Sequence, residues 1–128
     1  MARIFLVDDE DHIRALYAGE LAEVGHQVTT AASGRNLLRK IALLQPEVVV
    51  LDIKIGNYDG LELLQDIRNR HHSLPIILCS AYDKFKDDPR SISADYYVVK
   101  SFDLSGLKIA IQRAIEAEAS ILVAKSQL

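Results

Sequence analysis

Residues 48–64 read VVVLDIKIGNYDGLELL, and the first four of them decide the fold. Val48 to Leu51 is a continuous apolar run instead of an alternating one. Continuity of this kind is expected of a strand with helices on both faces, hence of a parallel sheet. Ile4 to Val7 lies upstream and Leu74 to Cys79, again continuous, downstream, each followed by polar residues. Gln27 to Thr30 and Tyr96 to Val99 complete a set of five expected strands.

Segments with helical spacing lie between these runs. In residues 11–23, Ile13, Leu16, Tyr17 and Leu21 share a face before Gly25 supplies a stop. In residues 34–44, Leu37, Leu38, Ile41 and Leu44 form a second stripe, closed by Pro46. Leu61, Leu64 and Ile67 make a third, and from about Leu104 onward Leu107, Ile111, Ala114 and Ile115 make the last. The fourth crossover, residues 82–95, is different: it holds Asp87, Asp88 and Pro89, with Phe85 and Ile92 as its expected anchors. Proline costs roughly 3 kcal/mol inside a helix but fits a first turn after an Asp cap, so any regular helix there is short and starts near Pro89. Strand followed by helix, five times over, predicts an α/β fold: a doubly wound, five-stranded parallel sheet flanked by helices on both faces.

The 128 residues fit one domain, expected to span 1–128, and the 49% hydrophobic and 26% charged composition excludes global disorder. A net charge of -3 without a basic block removes the usual electrostatic warrant for direct nucleic-acid binding. The one cysteine, Cys79, forms neither an intrachain disulfide nor a CxxC pair, which fits a cytoplasmic chain. MARIFLVDDE lacks a signal-peptide pattern, and no apolar run approaches the roughly 20 residues a membrane helix needs, so no direct membrane insertion is expected.

In an open α/β sheet the residues just past the carboxyl ends of the strands share one edge, the usual place for a site. That edge gathers Asp8, Asp9 and Glu10 after the first strand, Asp52 after the third, Ser80 after the fourth and Lys100 after the fifth. Crowded carboxylates repel one another unless a cation compensates, and all-oxygen donors favour a hard divalent ion such as magnesium. The histidines stand elsewhere, at 12, 26, 71 and 72, and His71 and His72 read as an exposed helix end instead of a zinc site. Lys100 supplies a point charge and Ser80 a hydrogen bond, so the set forms a phosphoryl-transfer site in which Asp52 can be the nucleophile. No glycine-rich phosphate loop or kinase signature accompanies it, so the phosphoryl group arrives from another protein or a small phosphodonor. Preference of helix N-termini for negative charge explains any one of these acids, but not their combined placement with Ser80 and Lys100.

At this point the chain resembles the receiver domain of two-component response regulators over nearly its whole length. The likeness is carried by IFLVDDE at 4–10, VVVLDIKIGNYDGLELL at 48–64, PIILCSA at 75–81 and SADYYVVKSF at 93–102. It implies a flavodoxin-like (β/α)5 fold with a short irregular fourth helix. It implies Asp52 as phosphoacceptor and Asp8 and Asp9 as the acidic pair, with Asp9 a direct magnesium ligand and Asp8 acting through water. Lys54 would add its backbone carbonyl, with its side chain pointing away from the metal. Ser80 and Tyr97 correspond to the switch pair, Lys100 to the phosphate-contacting lysine, and Ala81 leaves room beside the phosphoryl group. The implied partners are a sensor histidine kinase or histidine phosphotransfer protein and an output domain or protein; the chain is not expected to be an enzyme turning over a separate substrate.

Three features depart from the family pattern. Gly56 stands where members usually have proline in the loop after the acceptor, and Ser101 follows Lys100 where proline is usual. Loss of those locks is expected to raise unfolded-chain entropy and alter loop mobility. The segment from Ser80 to Lys100 is short and contains Pro89. The end of the chain, EAEASILVAKSQL at 116–128, continues the last helix with Ile121, Leu122 and Val123. Those three residues read as a linker to a further domain, a homodimer contact, or a last turn packing back on the domain. Two functions follow: a phosphoacceptor that relays or switches a signal, or a phosphorylation-independent interaction module.

Overall fold

The computed structural model describes residues 1–126. Five strands, β1 (Arg3–Val7), β2 (Gln27–Ala31), β3 (Val48–Leu51), β6 (Ile76–Ser80) and β7 (Tyr96–Val99), form one sheet in the order β2-β1-β3-β6-β7. All four neighbouring pairs are parallel. Four α-helices accompany them: α1 (Asp11–Glu23), α2 (Leu37–Leu44), α3 (Gly60–Arg70) and α4 (Ser105–Ser126).

The continuous apolar runs are explained by the two faces of the sheet. Ile4, Leu6, Val48, Val50, Ile77 and Cys79 pack against Tyr17 and Leu21 of α1 and Leu107, Ile111 and Ala114 of α4. Their neighbours Phe5, Val7, Val49, Leu51, Ile76 and Leu78 point the other way, onto Leu37 and Ile41 of α2 and Leu61, Leu64 and Ile67 of α3. Every residue of β3 is buried, because alternate side chains enter different helical layers. The order of strands reverses at β1, so the carboxyl ends of β1 and β3 flank the crevice where an open α/β sheet places its site.

Several boundaries differ from expectation. The fourth sheet strand starts at Ile76 instead of Leu74, since Pro75 has no N–H for a ladder and the Ile76 N–H is taken by the Asp95 carboxylate. α2 starts at Leu37 instead of residue 34, because Asn36 takes the left-handed conformation (φ 55°) just ahead of it. A two-stranded antiparallel hairpin, β4 (Lys54–Ile55) with β5 (Tyr58–Asp59), follows Asp52 and was not expected. Its turn is Gly56-Asn57, with φ +58° at Gly56.

The fourth crossover contains no α-helix. Two 3-10 turns, Lys84–Asp87 and Pro89–Ser93, take its place, and the second starts at Pro89 behind an Asp88 side chain that accepts from the Arg90 N–H. No residue of either turn is buried. Phe85 packs partly on the core, but Ile92, an expected anchor, is 86% exposed. Polar contacts from α3 hold the segment instead. The Arg68 guanidinium donates to the Ser93 carbonyl and to Asp95, and Gln65 donates to the Arg90 carbonyl and the Ser93 hydroxyl.

Helix α4 keeps Leu107, Ala110, Ile111 and Ala114 buried, and its last turns are largely exposed. Ile121, Leu122 and Val123 are 48%, 60% and 56% exposed, so this turn does not pack back as a closed core element. The rest of the expected tail, residues 127–128, lies outside the described residues.

Candidate functional site

The parallel register brings the expected residues to one edge. β1 and β3 are paired Val7 to Leu51, so the next residues, Asp8 and Asp52, emerge side by side, and the Asp52 N–H donates to the Val7 carbonyl. β6 and β7 are paired Ser80 to Val99, and the Lys100 N–H donates to the Ser80 carbonyl, which fixes where the lysine departs from the sheet. Asp8, Asp52 and Ser80 are the three buried polar residues of the described chain, at 2%, 5% and 1% exposure.

One ammonium ties this edge together. Lys100 Nζ lies 2.7 Å from Asp8 Oδ2, 3.0 Å from Asp52 Oδ2 and 3.6 Å from Glu10 Oε1. The second oxygens of the buried acids accept main-chain donors: Asp8 from the Glu10 N–H at 2.9 Å and Asp52 from the Ile53 N–H at 2.8 Å. Burial pushes the Asp52 carboxyl up to about 6, and the Lys100 ammonium draws it back only in part. Burial pulls Lys100 down, but hydrogen bonding to Asp8 and the Asp52 charge outweigh it and hold the ammonium above its ordinary value.

Asp9 completes the acidic group. Carboxylate oxygens of Asp8, Asp9 and Asp52 lie within 4.8 Å of one another, an all-oxygen set that fits a hard cation such as magnesium. Asp9 is exposed, and its Oδ2 accepts from the Gly56 N–H at 2.9 Å. The Lys54 Nζ lies 4.9 Å from the centre of the Tyr82 ring and 5.9 Å from that of Phe85.

Ser80 and Tyr97 meet through a third residue. Ser80 Oγ accepts from the Tyr82 N–H at 3.1 Å, and the Tyr97 hydroxyl donates to the Tyr82 carbonyl. Burial raises the Tyr97 phenol above its usual value, with the Ser80 hydroxyl acting in the opposite sense. His71 is half-buried and His72 exposed at the end of α3; the carbonyls of both accept from Arg68, and the His71 N–H caps the helix by donating to the Ile67 carbonyl.

Two residues that shape the site were missed from sequence. Gly60 begins α3, and a Cβ there would sit 2.1 Å from the Asp52 carbonyl and 2.7 Å from Ile53 Cα, so only glycine permits this approach. The available signal was the Asp59-Gly60 pair, with Asp59 capping the Leu61 N–H. Tyr82 was missed because it contributes its main chain, which carries no sequence signal. At Ser101 the departure from the family pattern gains a local contact: its N–H, which proline would lack, lies 3.2 Å from the Tyr17 hydroxyl, and that hydroxyl donates to the Ser101 carbonyl at 2.9 Å.

Known proteins are similar to this chain in sequence and in fold. AtoC, a regulatory protein of Escherichia coli K12, is 34% identical over 118 residues, which cover 91% of this chain and 26% of AtoC. The chain therefore spans about a quarter of that relative. The response regulator protein TrrA of Thermotoga maritima, solved in complex with Mg(2+)-BeF, superposes with a TM-score of 0.86 at 39% identity, covering 89% of this chain and 99% of TrrA. TrrA in complex with the histidine kinase ThkA superposes at 0.83, with 39% identity and 89% and 98% coverage. The family described as the response regulator receiver domain matches residues 4–125. With five parallel strands in the order β2-β1-β3-β6-β7 and its acids gathered where β1 and β3 end, the chain belongs to the receiver domains of two-component response regulators.

Proposed function

We propose that this receiver accepts a phosphoryl group on Asp52 from a sensor histidine kinase or a histidine phosphotransfer protein. The observation that carries this is the Lys100 ammonium between Asp52 and Asp8, with the Ser80 hydroxyl on the adjacent strand end. An ionised Asp52 oxygen attacks phosphorus, the bond to the donor imidazole nitrogen breaks with its electron pair, and an aspartyl phosphate forms. Lys100 follows the transferred oxygens as a point charge, and Ser80 donates to one of them.

The carboxylates of Asp8, Asp9 and Asp52 and the backbone carbonyl of Lys54 would hold magnesium. When bound, it supplies positive charge beside the phosphoryl oxygens. The chain itself forms one covalent product and is not a turnover enzyme on a separate substrate. We place it in the cytoplasm, where one unpaired cysteine is at home; no helix of the described residues is long and apolar enough to cross a membrane.

The output is a conformational switch acting on a partner protein or an output domain, and the exposed apolar end of α4 is the surface offered to such a domain or to a second copy. Ser80, on turning toward the phosphoryl group, gives up the Tyr82 N–H, and Tyr97 then loses its fixed acceptor. Fluorine NMR with beryllofluoride, an acyl-phosphate mimic, tests the chemistry. A bound signal is expected only with magnesium, and neither Asp52→Ala nor Lys100→Ala retains it at wild-type strength; equal binding by Asp52→Ala contradicts the assignment.

A further inference from the structure

The hairpin after Asp52 gives Gly56 a task that the usual proline could not perform. We propose that Gly56 is a positioning residue for the divalent-cation site, its backbone N–H holding the Asp9 carboxylate in place to ligate. The inference rests on the metal assignment made above for Asp9.

The three carboxylates are not held alike. Asp8 and Asp52 are buried, and each is fixed by one main-chain N–H and by Lys100. Asp9 is exposed and forms no ion pair among the described residues. Its one hydrogen bond there is from Gly56, 47 residues away, at 2.9 Å to Oδ2. Without that donor the side chain has solvent on its outer side and like charges on its inner side, and nothing keeps it near Asp8 and Asp52.

The donor is aimed by the hairpin. Ile55 pairs with Tyr58 and Lys54 with Asp59, leaving Gly56-Asn57 as a two-residue turn. Gly56 has φ +58° and Asn57 does not have positive φ, the pattern of a turn with glycine at its first central position. Space is not the reason for glycine, since a Cβ at this position meets nothing within 4 Å. Conformation and the N–H are the reason: proline is locked near φ -65° and has no N–H.

A hydrogen bond on Oδ2 leaves Oδ1 for the cation, and a carboxylate has lone pairs enough for both. Donors that orient a metal ligand typically govern affinity by about ten- to a hundredfold. Gly56 thereby offsets the lost rigidity of the usual proline by tying the loop to a ligand.

Magnesium titrations of the domain, followed by proton–nitrogen NMR, test this on wild type, Gly56→Pro, Asp9→Ala and the double variant. Gly56→Pro is expected to raise the magnesium Kd about tenfold, with no further loss when Asp9 is already alanine. In wild type the Gly56 amide is expected to exchange slowly, and in Asp9→Ala to exchange faster, a readout that does not depend on the proline variant folding. Unchanged affinity in Asp9→Ala overturns the metal assignment itself. If Asp9→Ala weakens binding while Gly56→Pro binds as wild type, or the double variant loses a further tenfold, or the Gly56 amide is indifferent to Asp9, the positioning role is overturned and the metal assignment stands.

Discussion

The Tyr97 hydroxyl donates to the main-chain carbonyl of Tyr82, whose own N–H is held by Ser80 Oγ. Tyr97 is thus two hydrogen bonds from the Ser80 hydroxyl, which ends the strand next to β3. Tyr97→Phe removes the donor and keeps the ring. We expect faster amide exchange over residues 82–88 in the free domain, a smaller response of residues 82–99 to beryllofluoride, and undiminished phosphorylation. Exchange identical to wild type in both states contradicts the coupling.

Lys100→Ala leaves Asp8 and Asp52 buried without their shared cation. Removing one partner of a buried pair typically costs about 3 kcal/mol or more, and urea unfolding in magnesium-free buffer reads it. Added magnesium is expected to recover part of the loss, because it replaces charge at the same oxygens.

Asp52 has a folded-state value of about 6, raised by burial above its ordinary 3.8. Its ionisation therefore opposes folding. The stability linked to the protonated form is full below the unfolded value near 4 and is lost as pH rises through about 6. Asp52→Asn is accordingly expected to be more stable than wild type at pH 8 without magnesium, by about 3 kcal/mol at most, and the gap closes toward pH 4. Thermal melts across that range check the sign.

Gly60→Ala places a methyl against the Asp52 carbonyl, where 2.1 Å leaves no room. Overpacking of this kind costs about 1–3 kcal/mol, and here it moves the acceptor strand itself. The expected result is lower stability in urea together with slower phosphorylation; loss of neither contradicts the close approach.

The convergence of the candidate site was legible because parallel strands end at one edge, and Asp8, Asp9, Asp52, Ser80 and Lys100 each stand at the end of an apolar run. The helical stripes were legible for the same reason: Leu61, Leu64 and Ile67 repeat at helical spacing and are fully buried. The hairpin was not, since strands of two residues are too short to show a period. The fourth crossover hid its anchors in another way. Ile92 looked like a buried anchor but points outward, and the segment is held by Arg68 and Gln65 reaching carbonyls, which any residue possesses. Pro89 was readable because a proline behind an Asp cap has a fixed structural meaning.

The proposed phosphorylation of Asp52 is tested most directly by intact mass under native conditions, after the domain is mixed with a small phosphodonor and magnesium. One added phosphoryl group is expected on the wild type, none on Asp52→Ala, and localisation to Asp52 on fragmentation. A phosphoryl group found on Ser80 instead, or an unmodified protein in the presence of bound magnesium and a reactive donor, contradicts the proposed chemistry and leaves the fold serving as an interaction module.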